Sequence, residues 1–245
     1  MKLFKLFFCT LSMSLFCFGA IAQSKTVNNK KNPSSSTAPV KSQVKKEDEI
    51  PGKTKVKITT DMGEIVVRLY DATPKHRDNF IKLVEQGFYD SLLFHRIIQG
   101  FMIQGGDPLS KNAAPGTMLG MGGGDMERIP AEFSQKIIHK KGALAAARDG
   151  NPEKASSACQ FYIVQGNPTP AEQLDMMSKQ KGYVYTPEQK SIYKTLGGTP
   201  FLDMEYTVFG EVVSGLSVID NIAASEKDGS DRPKKDIHMK MQLLK

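Results

Sequence analysis

Val56 and Ile58 alternate with polar residues, Asp61-Met62-Gly63 offers a turn, and Ile65, Val67 and Leu69 alternate again. A period of two on both sides of a turn is the pattern of a β-hairpin with one face buried. No other feature constrains the chain as tightly, and the same pattern returns downstream. Residues 92–104 are apolar and aromatic with Gly100 in the middle, which predicts two short strands meeting at a bend. Gly142–Arg148, Gln160–Gln165 and Tyr206–Val213 predict three more strands, and Ile237, Met239 and Met241 alternate in a closing one. Helices between them are few. Thr73-Pro74 sets an N-cap and a first-turn proline ahead of Phe80, Leu83 and Val84, with Gly87 placed to end that helix. Leu216, Ile219, Ile222 and Ala223 predict a second core helix. Many strands with so few crossovers favour a mainly β fold, a closed antiparallel barrel capped by two helices, over a βαβ sheet.

Two stretches break the strand pattern. Lys111–Arg128 is heavy in Gly and Met, and its Gly122-Gly123-Gly124 run invites comparison with a phosphate cradle. No P-loop Lys-Ser/Thr follows it, and no strand-loop-helix pattern surrounds it, so a plain flexible loop is expected. Residues 168–198 carry a capping-box start at Thr186-Pro187-Glu188-Gln189, with Ile192, Tyr193 and Leu196 on one face and Gly197 at the end. With an earlier helix around Ala171–Lys181, this stretch reads as a helical insertion on the barrel edge.

The N-terminal fifth differs in kind. Lys2 and Lys5, an apolar stretch from Leu6 to Phe18, and Ala20-Ile21-Ala22 before Gln23 make residues 1–22 a secretory signal peptide. The apolar run is short for a membrane anchor. Cys17 also admits a lipoprotein, although bulky Phe16 stands where lipid-modification sites want a small residue. Residues 23–50 are rich in Ser, Lys, Asn, Thr and Pro, a composition that predicts a flexible linker. The formal charge of +7 is concentrated there. Eight lysines against Glu47, Asp48 and Glu49 leave +5 on residues 1–50, hence +2 on residues 51–245, which disfavours a nucleic-acid partner. Cleavage would also remove Cys9 and Cys17, leaving Cys159 alone and no internal disulfide.

Common catalytic sets are missing. His76, His95, His139 and His238 lack metal-site spacing, no Gly-x-Ser-x-Gly elbow occurs, and no metal or cofactor is called for. One segment stands out: Phe94-His95-Arg96-Ile97-Ile98-Gln99-Gly100-Phe101-Met102-Ile103-Gln104-Gly105-Gly106-Asp107. It puts an arginine, two aromatics, a methionine and a glutamine on neighbouring short strands. This segment closely resembles the signature of the cyclophilins, with Gln99 where the family usually has proline. The resemblance continues in order through Ile129–Phe133, Gly142–Arg148, Ala158–Ile163, Phe201-Leu202-Asp203 and Tyr206–Val212. It covers about residues 53–245 apart from the insertion.

The resemblance implies an eight-stranded barrel over residues 51–245 and peptidyl-prolyl cis/trans isomerase activity on proline-containing polypeptides, with no cofactor. By the same resemblance Arg96 would be the catalytic arginine and Gln104 would bind the substrate backbone. Phe101, Met102, Tyr162 and Leu202 would line the proline pocket, while Ala147, Arg148 and Gln160 would flank the residue before proline. Tyr206 stands where many members have histidine, and Arg148 where asparagine is common. Tyr162, usually phenylalanine, is expected to put a hydroxyl at the pocket mouth. Phe201 replaces a frequent tryptophan, which implies weakened cyclosporin binding. The chain is expected to be an exported monomer, periplasmic and not inserted in a membrane after cleavage. Two other readings remain: a non-catalytic chaperone or scaffold module that binds proline segments, and a protein whose basic residues 23–50 bind a surface.

Overall fold

The computed structural model describes residues 51–244; the expected signal peptide and linker lie outside them. The strands are β1 (Pro51–Thr60), β2 (Gly63–Tyr70), β3 (Leu92–Ile98), β4 (Met102–Gly105), β5 (Ala143–Ala146), β6 (Phe161–Val164), β7 (Val208–Ser214) and β8 (His238–Leu244). Every pairing is antiparallel, and the order β1-β2-β7-β5-β6-β4-β3-β8 closes on itself through β1 and β8. The first hairpin pairs Val56 with Val67 and Ile58 with Ile65, the register its alternation predicts. Among the described residues, closure leaves no edge strand in need of protection.

The period of two sorts side chains onto two faces. Ile103, Leu144, Ala146, Phe161 and Ile163 join Val56, Ile58, Ile65, Val67 and Leu69 in the main core. Helices α1 (Pro74–Glu85) and α4 (Leu216–Ala223) cap the barrel and add Phe80, Leu83, Val84, Ile219 and Ile222 to that core. Their neighbours Met102, Ala143, Ala145, Tyr162 and Val164 point the other way and form a second, outward cluster. That cluster is the floor of the site described below. Thr73 does occupy the N-cap of α1, but its side chain makes no capping bond and its buried hydroxyl has no partner; the missing Thr73 cap is a departure from expectation.

Helices α2 (Ala171–Lys181) and α3 (Pro187–Thr195) form the insertion. Gly182 closes α2 in the left-handed conformation at φ 71°, and the Thr186/Gln189 capping box opens α3 with both reciprocal bonds. The ends of the excursion meet where the Gly198 amide donates to the Asn167 carbonyl at 3.0 Å. A Cβ on Gly198 would lie 2.3 Å from the His139 carbonyl, so only glycine permits this closure. Among the described residues no helix is long and apolar enough to cross a membrane.

Candidate functional site

The cross-strand register assembles the site. Arg96 on β3 faces Gln104 on β4, Gln104 faces Tyr162 on β6, and Tyr162 faces Ala145 on β5. One row across four strands thus carries a guanidinium, an amide and a ring on the outward face. Around it lies a groove of about 410 Å³ lined by Arg96, Phe101, Met102, Gln104, Ala147, Arg148, Tyr162, Leu202 and Tyr206. A second hollow of about 430 Å³ continues beside it past Gln104, Ala147, Arg148 and Gln160. All but one of the expected residues therefore line one continuous depression. The exception is Phe201, which is 49% exposed and stands on the rim against Phe101, their ring centroids 5.7 Å apart.

Polar contacts hold the rim in place. Arg96 Nη1 donates to Gln104 Oε1 at 3.3 Å, and Gln104 Nε2 donates to Gln160 Oε1 at 3.1 Å. Arg96 Nε lies 3.8 Å from the Asp231 carboxylate, and the arginine side chain remains 42% exposed, so its fork can still reach a ligand. Arg148 lies over the Tyr206 ring at 4.6 Å and donates through Nε to the Glu205 carbonyl. Tyr206 and Arg148 together make the far wall.

Two expectations are corrected. The Tyr162 hydroxyl is not at the pocket mouth: it is buried and bonds His139 Nε2 at 3.0 Å, leaving the ring face to the groove. Burial raises the Tyr162 phenol well above its ordinary pKa, so it stays a donor. The Lys111–Arg128 loop is not a plain flexible loop either. Asp107 accepts from the Gly120 amide, Gln160 Nε2 donates at 2.9 Å to the Gly120 and Gly122 carbonyls, and Arg232 Nη1 donates to the Ala114 and Thr117 carbonyls. Held this way, Met118 and Met121 form a groove wall that the sequence reading missed, as it missed Asp228 and Arg232 opposite.

The other histidines are accounted for structurally. His76 bonds Glu132 and Ser156, His139 bonds Asp203, and His238 bonds Asp61. His95, beneath the groove, has no partner on either ring nitrogen, and burial lowers its pKa to about 4. Cys159 is free and buried. Among the described residues no group of three or more His, Cys, Asp or Glu side chains could hold a metal ion.

A closed antiparallel barrel whose outer face offers a groove floored by Met102 and Tyr162 and edged by a guanidinium and two amides defines a cyclophilin-like barrel. The family model for cyclophilin-type peptidyl-prolyl cis-trans isomerases matches residues 55–242. The chain belongs to that family and is a peptidyl-prolyl cis/trans isomerase by class. A Streptococcus pyogenes protein named as a bifunctional phosphatase/peptidyl-prolyl cis-trans isomerase is 39% identical over 188 residues, covering 75% of this chain but only 37% of that protein. A Staphylococcus saprophyticus protein named as a peptidyl-prolyl cis-trans isomerase is 36% identical, covering 73% of this chain and 85% of the relative. Among solved structures, a Cryptosporidium parvum cyclophilin-type isomerase superposes with a TM-score of 0.59 at 23% identity, covering 78% of this chain and 98% of that one. The same parasite protein has also been solved in the presence of the dipeptide Ala-Pro, with a TM-score of 0.56.

Proposed function

We propose that this chain accelerates rotation of X-Pro bonds in exported, unfolded or partly folded polypeptides, with Arg96 as its catalytic residue. The peptide bond resists rotation because the nitrogen lone pair is delocalised into the carbonyl, a barrier of ~18–20 kcal/mol. Twisting localises that lone pair on nitrogen. A guanidinium aimed at it bonds the twisted state more strongly than the planar one, and that difference accelerates the step. A charged hydrogen bond contributes about 1.5–3 kcal/mol, roughly one to two powers of ten in rate. The remainder comes from positioning. Phe101, Met102, Tyr162 and Leu202 grip the ring, Gln104 and Gln160 orient the backbone, and Ala147, Arg148 and Gln160 flank the residue before proline. No covalent intermediate enters this mechanism.

The single observation that carries this reading is the row Arg96–Gln104–Tyr162, which sets a partly exposed guanidinium beside an apolar slot. The presence of Ala-Pro with the parasite relative supports a proline-containing ligand here as well. The signal-like residues 1–22 support export, with the periplasm as the proposed compartment and a monomer as the working unit. The test is catalysed cis/trans exchange of an Xaa-Pro peptide by the chain and by Arg96→Ala. The expected loss is about one to two powers of ten in kcat/KM with the fold intact. Equal turnover by the variant would remove Arg96 from the mechanism. No turnover by the folded wild type would leave a proline-binding module.

A further inference from the structure

The insertion, residues 168–198, is more than an appendage, because its donors converge on a single buried carboxylate. Asp203 Oδ2 accepts from the hydroxyls of Tyr193 at 2.6 Å, Tyr185 at 3.0 Å and Tyr183 at 3.2 Å. Asp203 Oδ1 accepts from the His139 amide and its Nδ1, both at 2.8 Å. A carboxylate offers about four in-plane acceptor sites, so five donors saturate it. It is therefore a fixed anchor with no capacity left for a substrate. Burial raises all three phenols above their ordinary pKa, and they remain donors at any working pH.

The anchor touches the groove along two routes. With Nδ1 committed to Asp203, His139 presents Nε2 as an acceptor, and the Tyr162 hydroxyl fills it at 3.0 Å. The His139 and Tyr162 rings lie head to head within 12° of parallel, which sets the plane of the groove-floor ring. The second route is the backbone of the short turn Pro200–Leu202, which carries Leu202 into the groove. The Tyr185 hydroxyl, sharing its one proton between Asp203 and the Pro200 carbonyl, lies 3.0 Å from the latter, and Lys181 Nζ donates to the carbonyls of Phe201 at 2.7 Å and Asp203 at 2.8 Å. Both routes start on the insertion and end on a side chain that lines the proline slot.

We propose that the insertion is a positioning element for the proline slot, with Lys181 and Tyr193 as positioning residues that act through the 200–203 turn and through Asp203, His139 and Tyr162. This deepens, and rests on, the assignment of that slot to proline. Removing one such donor loosens the grip on the ring without altering the guanidinium that meets the twisted nitrogen. The consequence is a split between the constants: KM rises and kcat stays.

The experiment uses the whole chain with Tyr193→Phe, Lys181→Met and the pair, assayed by exchange of an Xaa-Pro peptide across a concentration series. KM per folded molecule is expected to rise about three- to tenfold in each single variant, the scale of one lost hydrogen bond. Its kcat should stay within about twofold. Tyr→Phe keeps the ring that packs in the insertion core, and near-ultraviolet circular dichroism verifies the fold. An unchanged KM in both single variants and the pair, whatever the change in Tm, would overturn the proposal and leave the insertion as a stabilising appendage. Titrating the same peptide to a Kd separates the two readings. A wild type that binds without turnover defeats the catalytic assignment, while a raised Kd in the variants still supports the positioning role.

Discussion

Single residues in this groove differ in what they require of pH. His95, beside Arg96, is buried and held neutral, its pKa lowered from 6.5 to about 4. Burial dominates this shift; Asp107 and the Leu93 backbone oppose it, and the Arg96 and Arg232 charges add to it. In the unfolded chain an ordinary histidine binds its proton below about 6.5. Between about pH 6.5 and pH 4 the unfolded state therefore holds more protons, and stability falls as pH falls. The full effect is about 3 kcal/mol, complete near pH 4. His76, also lowered chiefly by burial, adds in the same direction. The carboxylates of Glu205, Glu211 and Asp220 are held low and lose their contribution only at more acid pH, so the upper part of the window belongs to histidine. Urea denaturation at pH 7.0 and 5.0 should show this loss, and His95→Phe should flatten it. An identical pH slope in that variant would assign the effect elsewhere.

At the scale of elements, the loop between β4 and β5 shows what a sequence can and cannot display. A run of three glycines looks the same whether it serves motion or close packing. Here a Cβ on Gly122 would meet Asp107 Oδ1 at 2.1 Å and one on Gly123 would meet Cys159 Sγ at 2.3 Å, while one on Gly124 meets nothing within 4 Å. Gly122→Ala should accordingly destabilise the protein by about 1–3 kcal/mol through overpacking and move the Gln160 anchor, raising KM. Gly124→Ala should stay within about 0.5 kcal/mol. Equal denaturation midpoints for the two would show that the loop yields freely. The hairpins, both capping helices and the α3 capping box were legible because each depends on neighbours in sequence. The main groove residues were legible through the Phe94–Asp107 segment, which joins two strands and their side chains in one continuous run. Arg232 and the Tyr162–His139–Asp203 chain were not, because they link residues from 23 to 118 positions apart with no local period. Tyr162 shows the limit most clearly: its type was readable, but the direction of its hydroxyl depends on a histidine from another part of the chain.

For the molecule as a whole, the question is whether its basic charge directs it to a surface. The +7 total divides unevenly, with +2 on residues 51–245, so the barrel offers little attraction of its own. Residues 23–50 of the proposed mature chain carry six lysines against three acidic residues, a net of +3. Each basic residue near an anionic membrane contributes about 1 kcal/mol, within a Debye length of about 8 Å at physiological salt. Three net charges then give roughly 3 kcal/mol, an affinity weaker than about 1 mM. That is too weak to tether a dilute protein, and it argues against the segment as a docking element. Sedimentation with vesicles containing about one-quarter phosphatidylserine, with and without residues 23–50, should show no retention of either form at 0.15 M salt. Retention of the longer form alone, lost at high salt, would reverse this and make the segment an electrostatic anchor. Isomerase turnover by the two forms should agree within about twofold either way, because every groove residue lies between His95 and Arg232, beyond the deleted segment.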